Sequence, residues 1–245
     1  MIFTPGLGIV YSTESYFENK NPLVGSHLNI ALQAGAKVFF AITPSTGIQA
    51  GIDLFHYSNG GVRVPNNGIN SLNISLGIVQ NINKTSVKIA EQPFQNDYKN
   101  SFEFGGIAGM RGAFQSKNEL YRATIYAGYA YRLNPVLSLK GGLDAGYYFT
   151  VYNPKNNLAT FEGYGTSYDR WSVGASLGAD LWLGRLAVMG SYGYYLYFNS
   201  YYHNKTYWTP GLKYNVLPWM VIQVKSYIHN HQADFLGVGL LFAVH

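Results

Sequence analysis

The chain has 245 residues and a formal net charge of +5, and only 12% of its residues are charged, about half the share of an ordinary soluble domain. With no cysteine it can build neither a disulfide framework nor a thiolate metal site, and no run approaches the roughly 18 apolar residues of a membrane-spanning helix. Aromatic residues reach 16%, with 22 Tyr and 28 Gly, yet the mean hydropathy is -0.04, so apolar and uncharged polar residues are mixed evenly along the chain. The modest positive charge does not by itself point to nucleic acid or any other partner.

Strand side chains alternate between two faces, and that alternation predicts about twelve strands: 3–13, 27–41, 46–58, 69–80, 101–113, 120–133, 136–152, 170–183, 185–198, 205–214, 219–229 and 234–245. In 28–40, Leu28, Ile30, Leu32, Ala34, Ala36, Val38 and Phe40 oppose Asn29, Gln33 and Lys37. In 137–151, Leu137, Leu139, Leu143, Ala145, Tyr147, Phe149 and Val151 oppose Ser138, Lys140, Asp144 and Thr150. In 171–183 the odd positions carry Trp171, Val173, Ala175, Leu177, Ala179, Leu181 and Leu183, and the even ones Ser172, Gly174, Ser176, Gly178, Asp180 and Trp182. These runs are roughly twice as long as the ~5–6 residues usual in globular strands. Long alternating strands with aromatic girdles and a polar interior mark a transmembrane barrel. Lys140, Asp144, Asp180 and Lys225 then form a polar network in the lumen, and Tyr147, Trp171, Tyr192 and Tyr194 suit the membrane interfaces.

Connections alternate in length as well. "TPSTG" at 43–47, "LNP" at 133–135, "LGR" at 183–185 and "NVLP" at 215–218 are short, whereas 14–26, 114–119, 153–169 and 199–204 are longer. Short periplasmic turns and long outer loops are the barrel pattern. The connection 81–100 is long where a short one is expected. The fold expected is all-β: a single antiparallel up-and-down transmembrane β-barrel over residues 1–245, in the bacterial outer membrane, with both termini periplasmic.

The stretch "FHYSNGGVRVPNNGIN", residues 55–70, carries the chemistry. Parity places Ile48, Ala50, Ile52 and Leu54 on the lipid side, and with them His56 and Ser58; on the next strand Leu72, Ile74, Leu76 and Ile78 face lipid, and so does Asn70. Three polar groups on a lipid face cost free energy unless they serve something. Two residues along a strand are about 6.5–7 Å apart, so an imidazole at 56 can lean onto a hydroxyl at 58, the general form of an activated nucleophile. Gly60, Gly61 and Gly68 allow amides to be aimed at an oxyanion, and Asn59 or Asn66 can add a side-chain donor. The plainer reading stays open at this point, because Asn59-Gly60 and Asn67-Gly68 are ordinary hairpin signals. His27, His203, His229 and His231 share no ligand spacing with a carboxylate on the same face, so no metal is expected.

"FHYSNGG…PNNGINS" resembles the signature of outer-membrane lipid A 3-O-deacylases, the PagL-type acyloxyacyl hydrolase family, and "NPLVGSHLNIALQAGAK" upstream is similar to longer members. The resemblance implies His56 as base, Ser58 as nucleophile, Asn66 and the Gly61 amide as oxyanion donors with Asn59 in support, and Asn70 where the family carries an acid. That asparagine is a departure: an amide can hold a histidine tautomer but does not stabilise imidazolium as a carboxylate does. The implied function is a serine esterase that removes an acyl chain from lipid A, without cofactor or metal. Its expected partners are lipopolysaccharide and outer-membrane lipids, with a homodimer as one option and no nucleic acid. The family's longer N-terminal region and the absence of a signal peptide imply missing upstream residues. The rival reading is a non-enzymatic barrel, a small channel or structural protein, which an open lumen would favour.

Overall fold

The computed structural model describes residues 2–82, 98–113, 115, 117–152, 167–200, 203–229 and 232–245. Its strands are β1 (Ile2–Tyr11), β2 (Leu28–Ala41), β3 (Thr46–Ser58), β4 (Ile69–Gln80), β5 (Asn100–Gly112), β6 (Glu119–Arg132), β7 (Leu137–Tyr148), β8 (Ser167–Leu183), β9 (Leu186–Ser200), β10 (Thr206–Trp208), β11 (Gly211–Leu217), β12 (Met220–His229) and β13 (Gln232–Val244), with one short helix, α1 (Tyr16–Asn19). The chain divides into two compact units, Met1–Asn59 with Pro65–Glu91 and Gly60–Val64 with Gln92–His245. Most of the anomalous 81–100 connection, most of 153–169 and His231 lie outside the described residues.

The first unit holds a four-stranded antiparallel sheet in the order β1-β2-β3-β4. Among the described residues β1 and β4 are its edges. One face is apolar and exposed, with Leu7 and Ile9 on β1, Leu28 and Leu32 on β2, Ile52 and Leu54 on β3, and Leu72, Ile74, Leu76 and Ile78 on β4. The opposite face is small and polar. There Gln33 donates to Asp53 at 3.0 Å, and a Cβ at Gly35 would stand 2.1 Å from that carboxylate, so a side chain there would have to displace it.

The second unit is the closed antiparallel barrel. β5 to β9 pair in sequence, β10 and β11 form one broken stave between β9 and β12, and β13 pairs with both β12 and β5. The break falls at Thr209-Pro210, where proline offers no N–H to the ladder. The barrel thus closes with eight staves rather than the expected twelve or so, and the first four strands form their own sheet. Alternation predicts each strand but not which two close the ring, because the β5–β13 pairing leaves no mark on either strand's own periodicity.

Side-chain parity in the barrel follows the expected sense. Ser172, Ser176, Asp180 and Trp182 point inward and are buried, whereas Trp171, Leu177, Leu181 and Leu183 are exposed. On β9 a register shift near Tyr195 changes the phase, so that Tyr195 and Phe198 are both buried. Eight staves leave an interior that side chains can fill, and here Tyr195, Tyr207, Tyr227, Phe235 and Leu241 are almost wholly buried.

Burying a charge costs several kcal/mol unless it is paired and hydrogen-bonded, and the lumen charges are. Asp144 accepts from Lys225, Tyr227 and Tyr207 at 3.1, 2.6 and 3.0 Å. Lys213 bridges Glu103 and Asp180, each at 2.8 Å, and Asp180 also takes Lys140. Arg122 donates to Asp234 at 2.9 Å and lies over the rings of Tyr148, Tyr227 and Phe235. A core of this kind is a packed interior, not a conduit.

Leu143 lies at mid-strand on the outer face, across from Ala127 and Ala175, and is 54% exposed. Leu143→Arg should destabilise the barrel in a lipid bilayer by about 2–4 kcal/mol, the cost of a cation at the membrane midplane. Denaturant unfolding in vesicles measures this; an unchanged midpoint would mean the face meets water instead.

Candidate active site

The β3–β4 hairpin brings the polar groups of the motif together. In its register His56 stands directly across from Asn70 and Leu54 across from Leu72, while on the other side Ser58 faces Ile30 of β2. His56, Ser58 and Asn70 share parity with Leu54 and Leu72, so all three rise from the exposed apolar face. His56 Nδ1 is 2.7 Å from Asn70 Oδ1, and its Nε2 is 3.0 Å from Ser58 Oγ. A carbonyl oxygen can only accept, so Nδ1 carries the proton and donates it to Asn70. Nε2 is then left with its lone pair toward the Ser58 hydroxyl. His56 and Ser58 are half-buried and Asn70 is exposed.

The loop after β3 is shaped by glycines. Gly68 has φ +72°, and a Cβ there would lie 2.8 Å from His56 Cε1 and 3.2 Å from the Ser58 Cβ. No other residue fits that position without moving the pair. Asn66 Oδ1 accepts from the backbone N–H groups of Gly25 at 3.4 Å and Asn59 at 3.5 Å. With its oxygen so engaged, the amide hydrogens of Asn66 are the half left to donate to a ligand. Asn59 is buried and gives its own amide to Ser26 Oγ at 3.0 Å, which makes it a support of the loop. Gly61 belongs to the segment grouped with the barrel, where its carbonyl accepts from Gly112 at 2.8 Å. No group of three His, Asp or Glu residues that could hold a metal ion occurs among the described residues.

The segment Pro22–Ser26, part of the stretch similar to longer family members, frames this loop, a contact that its residues do not announce. The carbonyls of Pro22 and Leu23 accept from Asn67 and Gly68 at 3.0 and 2.9 Å. A legible signal was present: Ser15-Tyr16-Phe17-Glu18 has capping-box spacing, and it starts α1 just before this segment.

Residues 1–79 match the family model of the lipid A 3-O-deacylases (PagL), and residues 100–245 match the C-terminal domain of the acyloxyacyl hydrolases. The chain belongs to the lipid A 3-O-deacylase family. It is accordingly an outer-membrane β-barrel protein with hydrolase activity toward lipid A, and the two matches divide the chain much as its two units do. Among solved structures, a de novo designed transmembrane β-barrel is similar at 13% identity, with a TM-score of 0.35 over 60% of this chain and 96% of that one. A Rh. blastica porin mutant matches at 10% identity and a TM-score of 0.24, over 99% and 100% of the two chains. A Salmonella typhi OmpF complex matches at 10% identity and 0.25, over 99% and 96%. No curated protein matches the chain in sequence.

Gly68→Ala should lower deacylation by about tenfold or more, since misplacing reacting groups by under an ångström is costly, while the barrel still folds. Fatty-acid release by the refolded variant checks this, and parental rates would show that the close approach to His56 and Ser58 does not matter.

Proposed function

We propose that this deacylase is a serine esterase in which Ser58 is the nucleophile, His56 the general base and Asn70 the group that orients it. The carrying observation is that one imidazole joins the other two, at 3.0 Å on Nε2 and 2.7 Å on Nδ1. In this reading Ser58 Oγ attacks the carbonyl carbon of an ester-linked acyl chain, and its proton passes to His56 Nε2. Negative charge develops on the carbonyl oxygen, and the Asn66 amide is the donor best placed by its bonding to meet it.

Collapse of that adduct breaks the ester bond. The sugar alkoxide leaves with the proton from His56, and the acyl group stays on Ser58. Water then attacks the acyl-enzyme, giving its proton to His56, which returns it to Ser58 Oγ as the fatty acid departs. The family points to the acyl chain on a 3-hydroxyl of lipid A as the bond cleaved. No residue in this cycle calls for a metal or an organic cofactor.

The filled lumen counts against a channel, and three polar groups on an apolar face have no use in a purely structural barrel. Asn70 keeps the tautomer but contributes only a dipole, where a carboxylate would add charge beside the imidazolium.

Ser58→Ala should reduce fatty-acid release from lipid A by about a thousandfold or more, because loss of a nucleophile removes the covalent route, with folding unchanged. Full activity in the purified, refolded variant would end the assignment. Asn70→Ala should lower turnover by about tenfold or more. Asn70→Glu should match or exceed the parent, since in a low-dielectric site a carboxylate supports imidazolium more than an amide does. If Asn70→Ala runs at the parental initial rate in the same detergent, Asn70 is only a strand residue.

A further inference from the structure

The segment leading from β1 to β2 ends on a histidine with both ring nitrogens occupied. His27 Nδ1 is 2.8 Å from the Ser12 carbonyl oxygen, and Nε2 is 3.0 Å from Glu18 Oε1. Both partners are acceptors, a carbonyl and a carboxylate, so both bonds form together only when the ring carries two protons. The ring also stacks on Tyr11, with centroids 5.7 Å apart. The other carboxylate oxygen of Glu18 accepts from the Ser15 backbone N–H at 2.8 Å and from its hydroxyl at 3.2 Å.

From there the connection runs to the active-site loop. Tyr16 at the start of α1 donates to the Val24 carbonyl at 2.8 Å, which ties the helical turn to the strap 22–26. The strap holds Asn67 and Gly68 through the carbonyls of Pro22 and Leu23, Asn59 through Ser26, and Asn66 through the Gly25 N–H. Every one of those four residues lies between the nucleophile and the strand that carries Asn70.

We propose that His27 is a positioning residue for the deacylation: paired with Glu18, it pins the strap against Asn66 and so directs the amide that meets the oxyanion. The inference rests on the serine-esterase reading of the site and adds to it a control outside the motif. The groups that face His27 are Tyr11 at the end of β1, Ser12 just after it and Glu18 on α1. The remaining charges of the segment are engaged elsewhere, Glu14 by Asn19 and Lys20 over the Tyr16 ring.

The same geometry gives the pin a pH range. The Ser12 carbonyl, then Glu18, favour the charged ring and raise the His27 pKa above its ordinary value. The Ser15 backbone N–H, then His27, hold the Glu18 carboxyl below its own. A raised histidine contributes fully below its ordinary pKa and is lost as pH rises through the raised one. A lowered carboxylate contributes above its ordinary pKa and is lost as pH falls through the lowered one. The pin is therefore closed in mildly acid solution and opens as pH rises through the raised His27 pKa.

The experiment compares the parent, His27→Ala, His27→Arg and Glu18→Gln, as full chains refolded in one detergent, by kcat and KM for fatty-acid release from lipid A between pH 5 and 9. At pH 6, His27→Ala and Glu18→Gln should lose about three- to tenfold in kcat with KM held within about twofold, the scale of an exposed pair acting through a small displacement. His27→Arg stays charged at every pH and should restore kcat and hold it where the parent declines toward pH 9. Superimposable profiles for His27→Ala and the parent would overturn the proposal, as would a loss that His27→Arg does not restore.

Two controls separate this from the reading beneath it. If Ser58→Ala is fully active, the esterase reading has failed. Amide exchange at Asn67 and Gly68 still tests the pin without any turnover. Exchange there should quicken in His27→Ala, and unchanged protection would refute the strap.

Discussion

The pairing of β3 with β4 in one register is the constraint on which the site depends. A strand slipped by one residue turns every side chain to the other face. Here that slip would send His56 away from Asn70 and put Phe55 and Tyr57 on the apolar side. The register is held by matched apolar pairs, Ile48 with Ile78, Ala50 with Leu76, Ile52 with Ile74 and Leu54 with Leu72. Four greasy pairs along the hairpin thus fix the position of one polar pair at its end. The apolar pairs of the strand below set where the three polar groups stand.

The two units divide chemistry and packing in opposite ways. In the barrel, charge is inside: Asp144, Asp180, Glu103 and Asp234 each meet lysine, arginine or tyrosine partners, and aliphatic side chains cover the outside. In the four-stranded sheet, the polar cluster that matters stands among leucines and isoleucines on an exposed face. Asp144 has both oxygens engaged, by Lys225 and Tyr227 on one and Tyr207 and Ser176 on the other. His56, by contrast, holds a proton on one side and a lone pair on the other, the unbalanced state that acid–base work requires.

Much of this was legible in the chain. The period-two pattern gave β3 and β4 to the residue and most other strands within two or three, because alternation is a local property that each strand carries by itself. Parity alone set His56, Ser58 and Asn70 on one face. What local reading missed was non-local. The ring closes through β5 and β13, whose residues are far apart in sequence, and the stave at Pro210 is split where the missing N–H interrupts a strand otherwise well patterned. The strap 22–26 likewise holds Asn67 and Gly68 through backbone carbonyls, which no side-chain pattern encodes. Gly68 was visible as half of an Asn-Gly turn, but its closeness to His56 depends on how that turn folds back over β3.

In the proposed reading the reaction centre sits on an exposed apolar face, which changes what concentration means for this hydrolase. Its substrate arrives sideways, within the same thin layer that surrounds the strands, so the relevant quantity is the fraction of that layer that is lipid A and not the amount per volume of water. Inert amphiphile added at constant substrate acts as a diluent in two dimensions and slows encounter without touching the protein. In that reading the released fatty acid enters the same layer as the remaining substrate and meets the same apolar face.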